Sequence, residues 1–446
     1  MNYFILKVFK TQYTFLIFLC FVMEIGYSQQ NSDSNTKIIQ LDGAIELGLQ
    51  NNRQLKMAHT DVAIANENLN QTKIAKAPRV GLNTAFSYIG NPKIYDGFFG
   101  ESVTVKYFDY QASANIVAGM SLYNGGLINN QIDKQQLVTQ IQNAAVKMTE
   151  AEIKLAITEQ FFTLEKLYRQ IEVTKQNIVN TELRIKQLQS KVANGQNLKS
   201  DLLRTELQQS NFQVSVFRSA NSIDLISNYL DILIGIPTDT KLKPELSELS
   251  IPNEESDLQK SVSDAYLNRY EIKQSEIKVK LSEATLNITK SGFKPNINAN
   301  LILNSQYPAQ WPEYINIINY WAAGVSLNWD ISSFYNLKHR VNGDKLQIDK
   351  SNVALNAIKD QINQEVKTAF VRYDESKKNI ATYKKDVELS LSNYRIVKSR
   401  YDNDFALISD MVDAELQLNE SKIALINANL DSIIQYYSLQ FAMGKL

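Results

Sequence analysis

Between Asn129 and Asn194 the chain contains neither glycine nor proline, and Ile157, Leu164, Ile171, Ile178, Ile185 and Val192 recur there at every seventh position. An apolar residue repeating in sevens keeps to one narrow stripe of a helix, and only another helix laid alongside can bury it. The spacing therefore predicts a coiled-coil seam. At 1.5 Å per residue the helix is on the order of 100 Å long, several times the width of a globular domain. Val366, Tyr373, Ile380, Val387, Tyr394 and Tyr401 make a second seam of the same period, each at one constant offset from its counterpart in the first.

The two seams belong to a longer duplication. Residues 41–83 align without a gap on 258–300, with Leu69/Leu286, Asn70/Asn287, Thr72/Thr289, Lys73/Lys290 and Pro78/Pro295 identical. Residues 191–208 align on 400–417, matching Asn194/Asn403, Leu198/Leu407, Ser200/Ser409, Asp201/Asp410 and the triplet 206–208 with 415–417. A repeat of roughly 200 residues is far too long for a solenoid unit. Each half is then a large assembly closing against its copy: residues 29–235, a linker at 236–257, and residues 258–446.

Each long helix stops at a turn, 194–197 in the first half and 402–404 in the second, and a further amphipathic helix follows from Leu198 and from Leu407. Ser200 and Ser409, each followed by aspartate, fall in the first turn, where caps and negative charge are favoured. The result is an antiparallel helical hairpin made twice. Shorter helices, 41–76 and 258–291, open the two halves.

After Pro78 and again after Pro295 the period changes from helix to strand. Val80, Leu82, Thr84, Phe86 and Tyr88 alternate with Arg79, Gly81, Asn83, Ala85 and Ser87, and Ile297, Ala299, Leu301 and Leu303 alternate with asparagines. Two partner strands follow, with Ala112 to Leu122 and Trp321 to Trp329 carrying the apolar alternation. Four strands of about ten residues have the length of bilayer-crossing strands. Trp321 and Trp329 are eight residues apart, which at about 3.3 Å per residue approaches the ~25 Å apolar band between aromatic girdles. The expected girdle is Tyr88, Trp321 and Trp329. The aromatic-rich stretches 90–106 and 306–316 read as external loops. A soluble sandwich would bury the same faces, but an open edge in lipid is forbidden, so membrane strands require oligomerisation. Three copies would make a twelve-stranded barrel with a polar lumen.

The first 28 residues read as a secretory signal: Lys7 and Lys10, an apolar run from Tyr13 to Met23, and a small-residue site at Gly26-Tyr27-Ser28. The residues before Cys20, Phe18 and Leu19, are too large for a lipidation box, and the mature chain has no cysteine. Equal numbers of basic and acidic residues leave no electrostatic footprint for nucleic acid. The two histidines, His59 and His339, have no ligand spacing around them, and no nucleophile elbow or phosphate loop is present, so an enzyme, a metal site and a cofactor are not expected.

A leader, a tandem repeat of helix, two strands and long hairpin, and a tip reading Gly-x5-Asp-Leu-Leu from Gly195 to Leu203 together resemble the TolC family of outer-membrane efflux proteins. The resemblance implies a mostly helical fold with membrane β: four transmembrane strands per protomer, and a trimeric α/β barrel built from two tandem repeats. It implies a passive conduit from periplasm to exterior, closed by an iris of helix tips, in an outer membrane of a Gram-negative bacterium. Implied partners are a periplasmic adaptor protein, an inner-membrane pump of RND or ABC type, two further copies of the chain, and membrane lipid. Asp410 and Asp413 fall on the family positions whose carboxylates ring the closed pore, and Tyr401 and Asp201 on a pair linking neighbouring tip helices. The family's second-tip arginine is Ala406 here, and its usual glycine is Asp404. Adaptor docking would use 195–200 and 404–409: Gly195, Asn197, Leu198 and Ser200 in one tip, Ala406, Leu407 and Ser409 in the other. A periplasmic coiled-coil structural or adaptor protein is the alternative, distinguished by having one hairpin and no bilayer-length strands.

Overall fold

The structure, a computed structural model, describes residues 36–88, 90, 93–95, 100–104, 110–238, 240–245, 257–307 and 317–446. The expected leader, most of the two external loops and most of the linker lie outside these residues.

The first half runs β1 (Thr36–Ile39), α1 (Leu41–Asn51), α2 (Arg53–Ile74), β2 (Arg79–Tyr88), a small hairpin β3 (Lys93–Tyr95) and β4 (Ser102–Thr104), β5 (Tyr110–Tyr123), α3 (Leu127–Ala193) and α4 (Lys199–Ile234). β6 (Lys241–Pro244) follows and pairs in parallel with β1. The second half runs α5 (Leu258–Asn268), α6 (Tyr270–Ser291), β7 (Asn296–Tyr307), β8 (Ile318–Asn328), the single turn α7 (Ser333–Asn336), α8 (Lys338–Asp402) and α9 (Ile408–Ala442). α3 and α8, of 67 and 65 residues, are the long helices that the heptads predict. All twelve seam residues are buried or half-buried, with Ile157, Leu164, Val366 and Tyr373 almost wholly so.

Two expected helices are corrected. Residues 41–76 and 258–291 each read as one helix, yet each is broken one-third of the way along. At the first break Asn52 caps α2, its Oδ1 accepting from the backbone N–H of Gln54 (2.8 Å) and Leu55 (3.2 Å) while its Nδ2 donates to the Leu233 carbonyl (2.9 Å). A buried asparagine that satisfies both chains of groups fixes the kink. The second break has Arg269 in extended backbone, and its buried guanidinium bonds Glu271 and Glu365 at 2.7 and 2.9 Å. The two tip helices start one residue after the expected Leu198 and Leu407, which hold the cap positions, and Ser200 and Ser409 lie inside the first turn as the sequence suggests.

The strands form one antiparallel sheet in the order β2-β5-β7-β8. Below it the chain is also four elements wide. The upper helices pack in the order α2-α3-α6-α8, and the lower ones in the order α4-α3-α9-α8. At the level where α1 and the β1/β6 pair add a layer, Ile157, Phe161, Leu164, Leu230, Ile234, Leu242 and Leu430 close the largest apolar core. α5 adds a second such layer over α8, with Ala265, Ile272, Ile362, Val366 and Ala442 buried together there.

Candidate functional site

The sheet has two faces of opposite chemistry. Its register puts Leu82, Ile116, Leu303 and Trp321 in one cross-strand row and Val80, Ala118, Leu301 and Ala323 in the next. On the other face Asn83, Asn115, Asn304 and Tyr320 share a row, and Arg79, Gly119, Asn300 and Gly324 another. Among the described residues nothing covers the apolar face: Val80, Leu82, Phe86, Trp321, Val325 and Leu327 are all strongly exposed. Arg79 is the only charged residue in the four strands. Among the described residues no helix is long and apolar enough to cross a membrane.

Of the expected girdle, Tyr88 packs edge-on against Tyr110 (5.5 Å between ring centroids) at the loop end of the sheet. Trp329 lies at the helix end, where its Nε1 donates to the Phe293 carbonyl (3.1 Å) and its ring meets Phe334. Trp321 stands in the row of Leu82, and the aromatics beside Tyr88 are Phe86 and Tyr110.

Among the described residues both edges of the wall are unpartnered. β2 and β8 each pair on one side only. The helices beneath them carry exposed apolar residues seven apart: Met57 and Ile64 on α2, Leu225 and Ile232 on α4, Leu346 and Val353, then Leu389 and Ile396, on α8. Heptad pairs in water are seams lacking their second helix.

The hairpin tips hold the other expected residues. Gly195 and Asp404 occupy equivalent turn positions, and both are left-handed, with φ of 73° and 64°. The second tip thus makes the left-handed turn of the first without a glycine, using a residue type that tolerates this region. Leu198 and Leu407 are each 70% exposed, Ser200 is exposed, and Asn197, Ala406 and Ser409 are half-buried. Phe405, which the sequence did not single out, is the most exposed large apolar residue at 83%. Its signal was an aromatic in an otherwise polar turn.

The two aspartates expected at the gate are engaged differently. Asp410 Oδ2 accepts from the Leu407 backbone N–H at 3.3 Å and Oδ1 from the Ser409 hydroxyl at 3.4 Å, so this carboxylate caps its own helix. Asp413 lies 3.8 Å from Arg204 of the first hairpin. Arg204 and Asp413 are repeat counterparts, so one position carries opposite charges in the two halves. Asp201 accepts from Asn197 Nδ2 at 3.5 Å. Tyr401 is half-buried beside Leu188, and Lys191 stands 5.6 Å over its ring. Burial pushes the Tyr401 hydroxyl above the usual tyrosine range; nearby Arg184 lowers it, and Asp201 and two further aspartates raise it. Tyr401 and Asp201 are therefore neighbours electrostatically, with no hydrogen bond between them among the described residues.

Residues 261–445 match the profile of the outer membrane efflux protein family. The match is confined to the C-terminal part of the chain, less than half of its length. Over 271 residues it is 20% identical to the probable outer membrane lipoprotein SilC of Salmonella typhimurium, a stretch covering 60% of this chain and 55% of that relative. It superposes on the outer-membrane channel OprN with a TM-score of 0.76 at 15% identity, covering 91% of this chain and 90% of that one. The Campylobacter jejuni CmeC outer membrane channel gives 0.75 at 15%, covering 91% and 85%. The outer membrane protein VceC of Vibrio cholerae gives 0.74 at 16%, covering 91% and 96%. At these identities the superpositions establish the fold.

The two hairpins are joined by polar rungs between α3 and α9. Lys166 pairs with Asp431, Gln170 Nε2 donates to Asn427 (2.6 Å), Asn177 bonds Asn419, and Arg184 pairs with Glu415 at 2.5 Å. Gln170, Asn177 and Arg184 are seven apart, so the rungs follow the coiled-coil period. Only the Arg184–Glu415 rung is buried on both sides, at 7% and 5% side-chain exposure. At the tip every cation bridging the hairpins comes from the first (Lys191, Arg204, Arg184) and every carboxylate from the second (Asp404, Asp413, Glu415). The exposed contacts contribute little, ~0–1 kcal/mol each. The buried one fixes partners, because a lone charge left there is costly. Arg184→Met or Glu415→Leu alone should destabilise by about 3 to 5 kcal/mol, and the double substitution by far less. Chemical denaturation of the four proteins checks this; additive losses would show that the two side chains act independently.

Proposed function

We propose that this protein is the outer-membrane channel of a tripartite efflux or type I secretion system, a passive trimeric conduit from periplasm to exterior. The observation that carries the reading is the sheet: nearly charge-free, apolar and uncovered on one face, amide-lined on the other, and open at both edges. Backbone groups at an open edge find no partner in lipid, and the edge of one copy offers what the opposite edge of the next lacks. A repeated heterologous contact of this kind closes into a ring. Three copies of a four-element wall give twelve strands above and twelve helices below at each level. The helices run into the periplasm. The solved structures it superposes on include outer-membrane channels, and the channel role is the one carried over to this chain.

The alternative, a periplasmic coiled-coil or adaptor protein, leaves the apolar sheet face and its two edges in water. Each replaceable residue on that face distinguishes the two. Leu301→Arg or Val325→Arg places a charge on the lipid side near mid-depth, costing about 2 to 4 kcal/mol in a membrane barrel. Both should lose outer-membrane assembly by fractionation, while Asn298→Arg on the amide face assembles normally. Equal tolerance of all three would remove the membrane-strand assignment.

The hairpin tips are the proposed docking surface for a periplasmic adaptor, which couples the channel to an energised inner-membrane pump. Leu198 and Leu407 are equally exposed repeat counterparts, and Phe405 adds a larger apolar contact. Leu198→Asp combined with Leu407→Asp should abolish efflux and leave a stable outer-membrane oligomer. Loss of the oligomer would instead make both leucines packing residues.

The inner end is the proposed gate, formed by Asp410 and Asp413 of each copy with Asp201 and Tyr401 behind them. Asp413 has Arg204 beside it, whereas Asp410 receives only neutral donors. Its charge is the less compensated, so a ring of these carboxylates favours cations. In planar bilayers the wild-type channel should be cation-selective, and Asp410→Asn should reduce the selectivity more than Asp413→Asn. Selectivity unchanged by either variant would place the charge filter elsewhere.

A further inference from the structure

At the helix end of the apolar sheet face, two segments pack into a small cluster of their own. Phe334 meets Phe293 at 5.7 Å and Trp329 at 6.2 Å between ring centroids, and Trp329 donates to the Phe293 carbonyl. Gly292 leaves room for Leu337, since a Cβ at 292 would stand 2.7 Å from Leu337 Cδ1. Trp329 has the strand parity of Trp321, Val325 and Leu327, so the cluster continues the apolar face. Ile331, Phe334 and Tyr335 are nevertheless exposed, at 69%, 57% and 70%.

The same two segments carry Lys290, Lys294, Lys338 and Arg340, all exposed, and among the described residues none of the four is in an ion pair. One acidic group lies between them, Asp330, whose Oδ1 accepts from the Ser332 backbone N–H (3.0 Å) and the Ser332 hydroxyl (2.5 Å). Asp344 is a turn beyond Arg340 on α8. The cluster is thus an apolar and aromatic wedge edged by a net positive charge at one end of a bilayer-length apolar face.

We propose that it is a headgroup-level anchor that binds anionic phospholipid in the leaflet on the helix side of the sheet. The inference rests on the membrane reading of the strands and adds a lipid preference to it. Aromatic rings and a nearby apolar surface settle at the acyl–headgroup boundary. Lysine and arginine stems lie along apolar surface and carry their charges to the phosphate level. Near an anionic surface each basic side chain contributes roughly fivefold in affinity. Four of them in a ring-forming protein make the preference for an anionic over a zwitterionic headgroup large even after screening. Aromatic anchoring alone would serve either lipid equally.

The test uses the full-length protein purified in neutral detergent and titrated with phosphatidylglycerol, phosphatidylcholine or soluble glycerol phosphate, with thermal unfolding as readout. Phosphatidylglycerol should raise Tm at roughly tenfold lower concentration than phosphatidylcholine, and glycerol phosphate should have no effect. A variant with Lys290→Gln, Lys294→Gln, Lys338→Gln and Arg340→Gln should keep the detergent Tm and lose the preference; Arg340→Lys should keep it. Equal stabilisation of the wild type by both lipids, retention of the preference in the fourfold variant, or stabilisation by glycerol phosphate would overturn the proposal. Release of the protein from membranes by salt alone would instead refute the membrane reading on which it rests.

Discussion

An unpaired strand edge beside an uncovered apolar face can be satisfied neither by water nor by lipid. β2 and β8 both present such edges, and the faces between them are almost free of charge. The helices below repeat the problem in another form, with heptad seams on α2, α4 and α8 that lack a second helix. A wall four elements wide from end to end, open along both sides, is half of a contact everywhere. Within the single chain the largest apolar core is the waist around Phe161 and Leu230, with smaller clusters around Val366, Met411 and Tyr373.

Within the chain, the two hairpins adhere through side chains that differ at aligned sequence positions. Positions 204 and 413 are counterparts, yet one is arginine and the other aspartate. Arg184 and Glu415 do the same work out of water. The bridging cations lie on the first hairpin and the carboxylates on the second. A seam built of Asn, Gln and ion pairs gains less from mere contact than an apolar one, and it distinguishes one register from the next by the match of its rungs.

Much of the architecture is legible in the sequence because it is periodic. The sevens of 157–192 and 366–401 predict the long helices, and alternation after Pro78 and Pro295 predicts strands whose observed register keeps the apolar residues on one face. What periodicity does not carry is harder to read. The helix breaks at Asn52 and Arg269 depend on partners nearly 200 residues away, Leu233 for the one and Phe441 and Ala442 for the other. The capping role of Asp410 was legible as a first-turn charge, but the Arg204–Asp413 and Arg184–Glu415 contacts require knowing which helices become neighbours. Phe405 was passed over because a turn aromatic has no period at all.

The central claim is that the chain completes its edges with copies of itself. Its most direct test is the mass of the detergent-solubilised complex by light scattering, with the detergent contribution subtracted. Three copies of a protein are expected, at a mass independent of dilution across the measurable range. A stable single copy, with β2 and β8 still unpaired, would contradict the account.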